Sequence, residues 1–426
     1  MRPPPQSNGE WNHMSRPVMA SPVVLGRPMD PPQRGESSAA MARFTNTERH
    51  FVRLMKRRDR SSLVRLIETD TKRQCVTHPD MPLRLRVLQS HLPESVRMQI
   101  FEELRSAPHE KYMQWVRRAI QLPCGVVSVP YALTSPTEAV AAARATMDAA
   151  VTGFDELKTE VLKLVCQSAL NGASTSAYGI GLEGEPGTGK THFVRTALAP
   201  ALQRPMVSIQ LGGATDVSYL LGMLYTYEGA REGRIASGLI EAGCCNPVVY
   251  FDEVDKISDT DRGRELASAL IHLIDPSSNT EIRDRYFHGI DIDVSKCTFV
   301  FSYNNASRVS PILLDRIRRF RVATPTMAQR CDVLKRHIVP RVTKRLCTDV
   351  SISDEGVAYL AKVCAQGAEG MRGAEQAVYD TLSLAQLQRC VGGADGAADA
   401  LSLDAVRASC RHAAADEAPP PLGMYS

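Results

Sequence analysis

The sequence lacks any uninterrupted apolar run of the roughly eighteen residues needed to cross a bilayer, so no membrane-spanning helix is expected. It also lacks C-x-x-C. Its 11 cysteines are scattered and odd in number, which argues against a zinc ribbon or a secreted disulfide framework and suits a reducing compartment. There is no H-E-x-x-H, and the 10 histidines fall at no metal-ligand spacing. Prolines and arginines punctuate residues 1–43, so the apolar core of a signal peptide is missing. Aromatics make up only 6%, and a net charge of +4 is too small to indicate a partner. No internal repeat is found. The remaining composition, 43% hydrophobic and 23% charged, suits a globular chain whose 426 residues leave room for two or three domains.

The texture changes along the chain. Residues 1–43 hold Pro3, Pro4, Pro5, Pro17, Pro22, Pro28, Pro31 and Pro32 with little apolar periodicity, and read as a disordered arm. From Phe44 the pattern turns helical and basic, with Phe51, Leu54, Met55, Leu63, Leu66 and Ile67 at helical spacing. Residues 44–145 are therefore expected to form a basic N-terminal helical region, with a second helical block over 83–122. Across residues 146–326 short apolar runs (178–182, 206–211, 248–251, 298–302) alternate with helical stretches. That alternation predicts a largely parallel sheet covered by helices. Residues 327–391 read as helical throughout, a small lid, and 392–426 as a largely disordered tail rich in Ala, Asp and Pro.

Gly184-Glu185-Pro186-Gly187-Thr188-Gly189-Lys190-Thr191 satisfies G-x-x-x-x-G-K-[ST], and it stands between a strand candidate and a predicted helix over 192–202. Glycines let backbone N–H groups curl around phosphate oxygens, and the helix N-terminus adds favourable partial charge. Lys190 is expected to reach the β and γ phosphates, and the Thr191 hydroxyl to ligate Mg²⁺. Val248-Val249-Tyr250-Phe251-Asp252-Glu253 is an apolar run ending in two acids. At the end of a strand, Asp252 is placed to hold the magnesium and Glu253 to polarise the attacking water. Together these motifs point to binding and hydrolysis of ATP. Cys244-Cys245 are adjacent, with diverging side chains, and read as packed residues at a helix end.

The strings VVYFDEVDKIS, RGRELASALIHLIDP and CTFVFSYNNASRVSPILLDRI resemble the AAA+ module of Lon-family ATP-dependent proteases. YMQWVRRAIQLPCG, ARATMDAAVTGFDELKTEVLKLV and EGMRGAEQAV are similar to flanking segments of the same family, so the resemblance runs from about Leu83 to Arg389. It implies an AAA+ phosphate-loop α/β fold with a parallel sheet flanked by helices and a small α-helical lid. By the same resemblance Asn304 is a polar sensor near the γ-phosphate, and Arg316 an arginine finger serving the neighbouring subunit. Arg372 is then a second sensor on the lid, and Tyr227 the aromatic of a pore loop gripping a protein substrate. A finger that acts in trans implies a ring, by resemblance a homo-hexamer. The chain departs from the family at Glu228, where an aliphatic residue is usual, and at Met223-Leu224-Tyr225, where basic residues are.

Lon proteases continue beyond the lid into a Ser–Lys peptidase domain. After Val391 this sequence has about 35 residues, against the ~100 of a typical domain. They hold three serines (Ser402, Ser409, Ser426) and no lysine, so self-contained protease activity is not expected. The expected function is ATP-driven unfolding, remodelling or translocation of proteins. The alternatives are an ATPase serving a separate peptidase and a nucleic-acid-associated ATPase. The last rests on Lys56-Arg57-Arg58-Asp59-Arg60, a candidate nonspecific DNA contact. A cytoplasmic location is the default, with a mitochondrial presequence as the other reading of the acid-poor N-terminus.

Overall fold

The computed structural model describes residues 46–55, 81–106, 108–129, 131, 134–171, 178–348, 350–366, 371–392 and 400–408. The chain divides into two compact units, residues 1–90 with 97–107, and residues 91–96 with 108–426. In the first, helices Asn46–Leu54, Leu83–Gln89 and most of Glu94–Glu103 enclose Val52, Met81, Leu85, Leu88 and Phe101. The buried Arg84 guanidinium donates to Glu48 and to the Phe101 carbonyl, both at 2.8 Å, so its charge enters the core with partners.

The second unit is built on a sheet. Its strands are β1 (Tyr178–Glu183), β2 (Met206–Gln210), β3 (Val248–Asp252), β6 (Thr298–Tyr303) and β7 (Arg318–Arg321), in the order β2-β3-β6-β1-β7. Two short strands, β4 (Ile282–Arg283) and β5 (Asp291–Ile292), form a separate antiparallel pair. Every pairing within the five-stranded sheet is parallel. Each return to a parallel neighbour needs a crossover, and helices supply it. Strands β3 and β6 are buried almost end to end, as expected where both faces of a sheet are covered.

Helix Pro136–Ala150 starts at a capping box, Ser135 with Glu138, and has proline at its first position. It buries Ala139, Ala143 and Met147 in the same core as Ile180, Leu182, Phe193 and Val300. It thus packs on the sheet core although most of it precedes residue 146, where the sequence places the domain boundary. Strand β7 was not expected from the sequence. Its residues Arg318-Arg319-Phe320-Arg321 carry one apolar side chain, and an edge strand needs only one buried face. Cys244 and Cys245 follow helix Arg234–Ala242 and are buried; burial pushes the Cys245 thiol up to about 11.

The lid opens at a second capping box, Thr326 with Gln329, and runs through Met327–Val333, a π-helical turn Leu334–Ile338, and Val339–Leu346. Helices Asp354–Gln366 and Met371–Gly392 complete it around Leu334, Val342, Leu360, Val378 and Leu382. Residues 400–408, which fall in the expected tail, also pack here. Ala400–Leu401 pairs in parallel with Ser351–Ile352, and Val406 is fully buried in the lid core. Among the described residues no helix is long and apolar enough to cross a membrane.

Candidate nucleotide site

Strand β1 ends where the loop begins, and Lys190 opens the following helix. Gly187 and Gly189 stand at φ 76° and 90°, a backbone region that a side chain strongly disfavours. Thr188 Oγ1 donates back to the Glu185 carbonyl at 2.9 Å and closes the turn. The Lys190 ammonium donates to the carbonyls of Gly184 (2.5 Å) and Glu185 (3.0 Å) and to Asn304 Oδ1 (2.9 Å). Residues 114 positions apart thus meet because β1 and β6 are adjacent strands.

Thr191 Oγ1 lies 3.4 Å from Asp252 Oδ2 at the end of β3 and 2.9 Å from the Tyr250 hydroxyl. Tyr250 is fully buried, and burial pushes its phenol up to about 12, so it stays a neutral hydrogen-bonding group. A hydroxyl beside a carboxylate, next to a phosphate-type loop, is a hard-oxygen donor pair suited to Mg²⁺. Glu253 follows Asp252 in the left-handed region, φ 58°. Its backbone N–H donates to Asp252 Oδ1 at 3.0 Å, and its exposed side chain turns over the neighbouring end of β2.

These groups line one cavity of about 640 Å³ between the sheet and the lid. Phe154, Val151 and Ile338 supply an apolar wall, and His337, Arg341 and Glu375 come from the lid. Arg341 is paired with Glu375 at 2.8 Å. Burial lowers the pKa of both His192 and His337, which favours their neutral forms in the cavity. A flat apolar wall opposite a polar phosphate end is the division of labour a nucleotide requires.

Asp255 was not singled out from the sequence. It is 3% exposed, and its Oδ2 accepts the backbone N–H groups of both Asn304 and Asn305 at 3.2 Å. It therefore fixes the turn that presents the Asn304 carboxamide to Lys190. A third acid after an acid pair reads as surface until the pairing of β3 with β6 brings the two strand ends together.

Arg316 is not brought to this cavity. It ends helix Pro311–Arg316, is half-exposed, and pairs with Asp275 at 3.6 Å beside Gly179 and Asp315. Arg372 belongs to helix Met371–Gly392, and its side chain lies outside the described residues. Lys56–Arg60 likewise lie outside them. Tyr227 is far more exposed, at 62%, on a segment bounded by Gly222 and Gly233, with Met223 and Leu224 exposed beside it. Helix Glu110–Ala119 braces that segment. The Trp115 ring lies tilted against Tyr225 with centroids 5.7 Å apart, Lys111 donates to the Thr226 carbonyl, and Arg118 pairs with Glu232. The buried Asp284 accepts from the N–H groups of Gly233, Tyr286 and Phe287, and burial raises its pKa to about 6.

Residues 180–325 match the family described as ATPase family associated with various cellular activities (AAA). This stretch is similar to an AAA ATPase domain. Over that region the chain is similar to Lon proteases. It is 34% identical over 214 residues to the Lon protease homolog of Acanthamoeba polyphaga mimivirus, covering 49% of this chain and 21% of that protein. With the Lon protease of Helicobacter pylori it shares 39% over 175 residues, 40% of this chain and 21% of the relative. With the mitochondrial Lon protease homolog of Debaryomyces hansenii it shares 30% over 283 residues, 66% of this chain and 25% of the relative. The matched stretch thus spans a fifth to a quarter of these relatives. The AAA match and the five-stranded parallel sheet agree with the expected phosphate-loop α/β fold.

Proposed function

We propose that this chain is a Lon-like AAA+ mechanoenzyme that hydrolyses ATP with Mg²⁺ to unfold, remodel or translocate proteins. Peptide cleavage is assigned to none of its residues. The observation that carries the reading is the convergence of the Lys190 ammonium, the Asn304 carboxamide and the Thr191–Asp252 pair at the mouth of one loop. In this reading the backbone of Gly184, Glu185, Pro186, Gly187, Thr188 and Gly189 cradles the phosphates, and Lys190 exchanges its carbonyl partners for phosphate oxygens. Thr191 and Asp252 hold Mg²⁺, which when bound offsets the negative charge of the phosphates. Glu253 takes the proton of the attacking water as its oxygen bonds to the γ-phosphorus and the bridging P–O bond breaks toward ADP. Asn304 Oδ1 is occupied by Lys190, which leaves its amide N–H₂ to orient that water.

Arg316 faces away from its own cavity, which supports service to a neighbouring subunit's nucleotide in a homo-hexameric ring. Arg372 senses the nucleotide from the lid, and the exposed Tyr227 ring grips an extended polypeptide without reading its sequence. The test is Glu253→Gln. Turnover should fall by about 10²-fold or more, the usual worth of a general base, while ATP affinity stays within about twofold and an ATP-bound ring accumulates. Hydrolysis at the parent rate in that variant would overturn the assignment. Adding unfolded polypeptide or DNA to the parent protein then identifies which ligand stimulates it.

A further inference from the structure

We propose that Gly212 is a positioning residue for the Glu253 carboxylate; the inference rests on the reading of Glu253 as the base. Leu211, one residue past β2, donates its N–H to the Asp252 carbonyl at 3.0 Å. This extra bond extends the β2–β3 ladder by one step and sets Gly212 beside Glu253. A Cβ at Gly212 would stand 2.0 Å from Glu253 Oε2, 3.2 Å from its carboxyl carbon and 3.5 Å from its Cβ. The Glu253 carboxylate therefore rests on the bare backbone of Gly212. Its other restraints are few. The side chain is exposed, and among the described residues no hydrogen bond or ion pair holds the carboxylate.

The need for glycine here is one of space. Gly212 and Gly213 are both absent from the positive-φ residues, so the backbone of either tolerates a side chain. They differ in surroundings, since a Cβ on Gly213 meets nothing within 4 Å. The atom that Gly212→Ala displaces is the far end of a flexible exposed side chain, so the substitution relieves itself by swinging the carboxylate away rather than by unfolding the strand end. The left-handed backbone of Glu253, φ 58°, fixes where that side chain leaves the strand. A methyl group on the neighbouring strand then decides whether its carboxylate reaches the water. Proton abstraction tolerates little misplacement, and an error near 1 Å costs about 10²-fold.

The experiment compares full-length parent, Gly212→Ala, Gly213→Ala and Glu253→Gln for ATPase kcat, ATP affinity and melting temperature. Gly212→Ala should lower kcat about 10- to 100-fold, with ATP affinity within about twofold and an unchanged melting temperature. Gly213→Ala should match the parent in all three. If Glu253→Gln stops turnover but Gly212→Ala keeps the parent kcat, the inference on Gly212 fails while the site reading stands. A Gly212→Ala protein that loses nucleotide affinity or melts early would make Gly212 a structural residue and also overturn the inference. If Glu253→Gln keeps the parent rate, the site reading itself fails.

Discussion

Replacing Asp255 with alanine removes one carboxylate oxygen that holds two backbone groups. Oδ2 accepts the N–H of Asn304 and of Asn305, both at 3.2 Å, in a place where Asp255 is 3% exposed. A hydrogen bond to a charged partner contributes about 1.5–3 kcal/mol, and a buried donor left unmade costs about 1–3 kcal/mol. Two such bonds lost together set a destabilisation of about 3–5 kcal/mol for Asp255→Ala. Asp255→Asn can keep its amide oxygen where Oδ2 stands. It should lose about 1–2 kcal/mol, the difference between charged and neutral acceptors. Because the same turn carries the Asn304 carboxamide to Lys190, kcat should fall with stability, and further for alanine than for asparagine. Urea denaturation followed by far-UV circular dichroism, alongside ATPase rates at saturating nucleotide, reads both quantities. Asp255→Ala within about 1 kcal/mol of the parent protein, at full activity, would refute the claim that this carboxylate organises the turn.

Other perturbations test separate groups. Tyr250→Phe deletes the hydroxyl 2.9 Å from Thr191 Oγ1; it should cost about 1 kcal/mol and raise several-fold the Mg²⁺ concentration for half-maximal turnover, measured by metal titration. The folded pKa of Asp284, about 6, lies above its ordinary 3.8, so its protonated form is favoured in the folded protein. Its contribution to stability is full below the ordinary value and is lost as pH rises through about 6, up to about 3 kcal/mol. Asp284→Asn should therefore gain relative to the parent between pH 4 and about 7.5 in melting experiments; a constant difference across that range would contradict the burial argument. Arg316→Ala should lower turnover by roughly 10³-fold or more, and mixing it with Glu253→Gln should restore activity if each supplies what the other lacks across a subunit boundary. An Arg316→Ala protein with the parent rate would remove the trans role.

The parts legible in the sequence were those written in local pattern. The phosphate loop is contiguous, and the runs that became β3 and β6 are continuously apolar because they are buried on both faces, while β2 at the sheet edge alternates buried and exposed residues. The AAA resemblance extended this to the family. Strand β7 was illegible because an edge strand among arginines has no apolar run to reveal it. Asp255 and Gly212 act through neighbours on other strands, so their roles exist only once β3 lies between β2 and β6. The packing of residues 400–408 was hidden for a similar reason. Leu401 and Val406 are two apolar residues in an Ala-rich stretch, and their partners lie in the lid.

The sheet order has a consequence for synthesis. Both neighbours of β1, strands β6 and β7, come from beyond residue 297. On the ribosome the phosphate loop therefore emerges attached to a strand with nothing to pair with, and it stays so while more than a hundred further residues are made. The helices between can form early, but the sheet closes only when Thr298–Tyr303 inserts between β3 and β1. The Lys190 contact to Asn304, and the Asp255 bonds that hold the Asn304 turn, therefore form only after that strand has been made. If nucleotide binds at the proposed site, adding it during synthesis should favour completion of the sheet, since a ligand of the folded arrangement stabilises it by mass action.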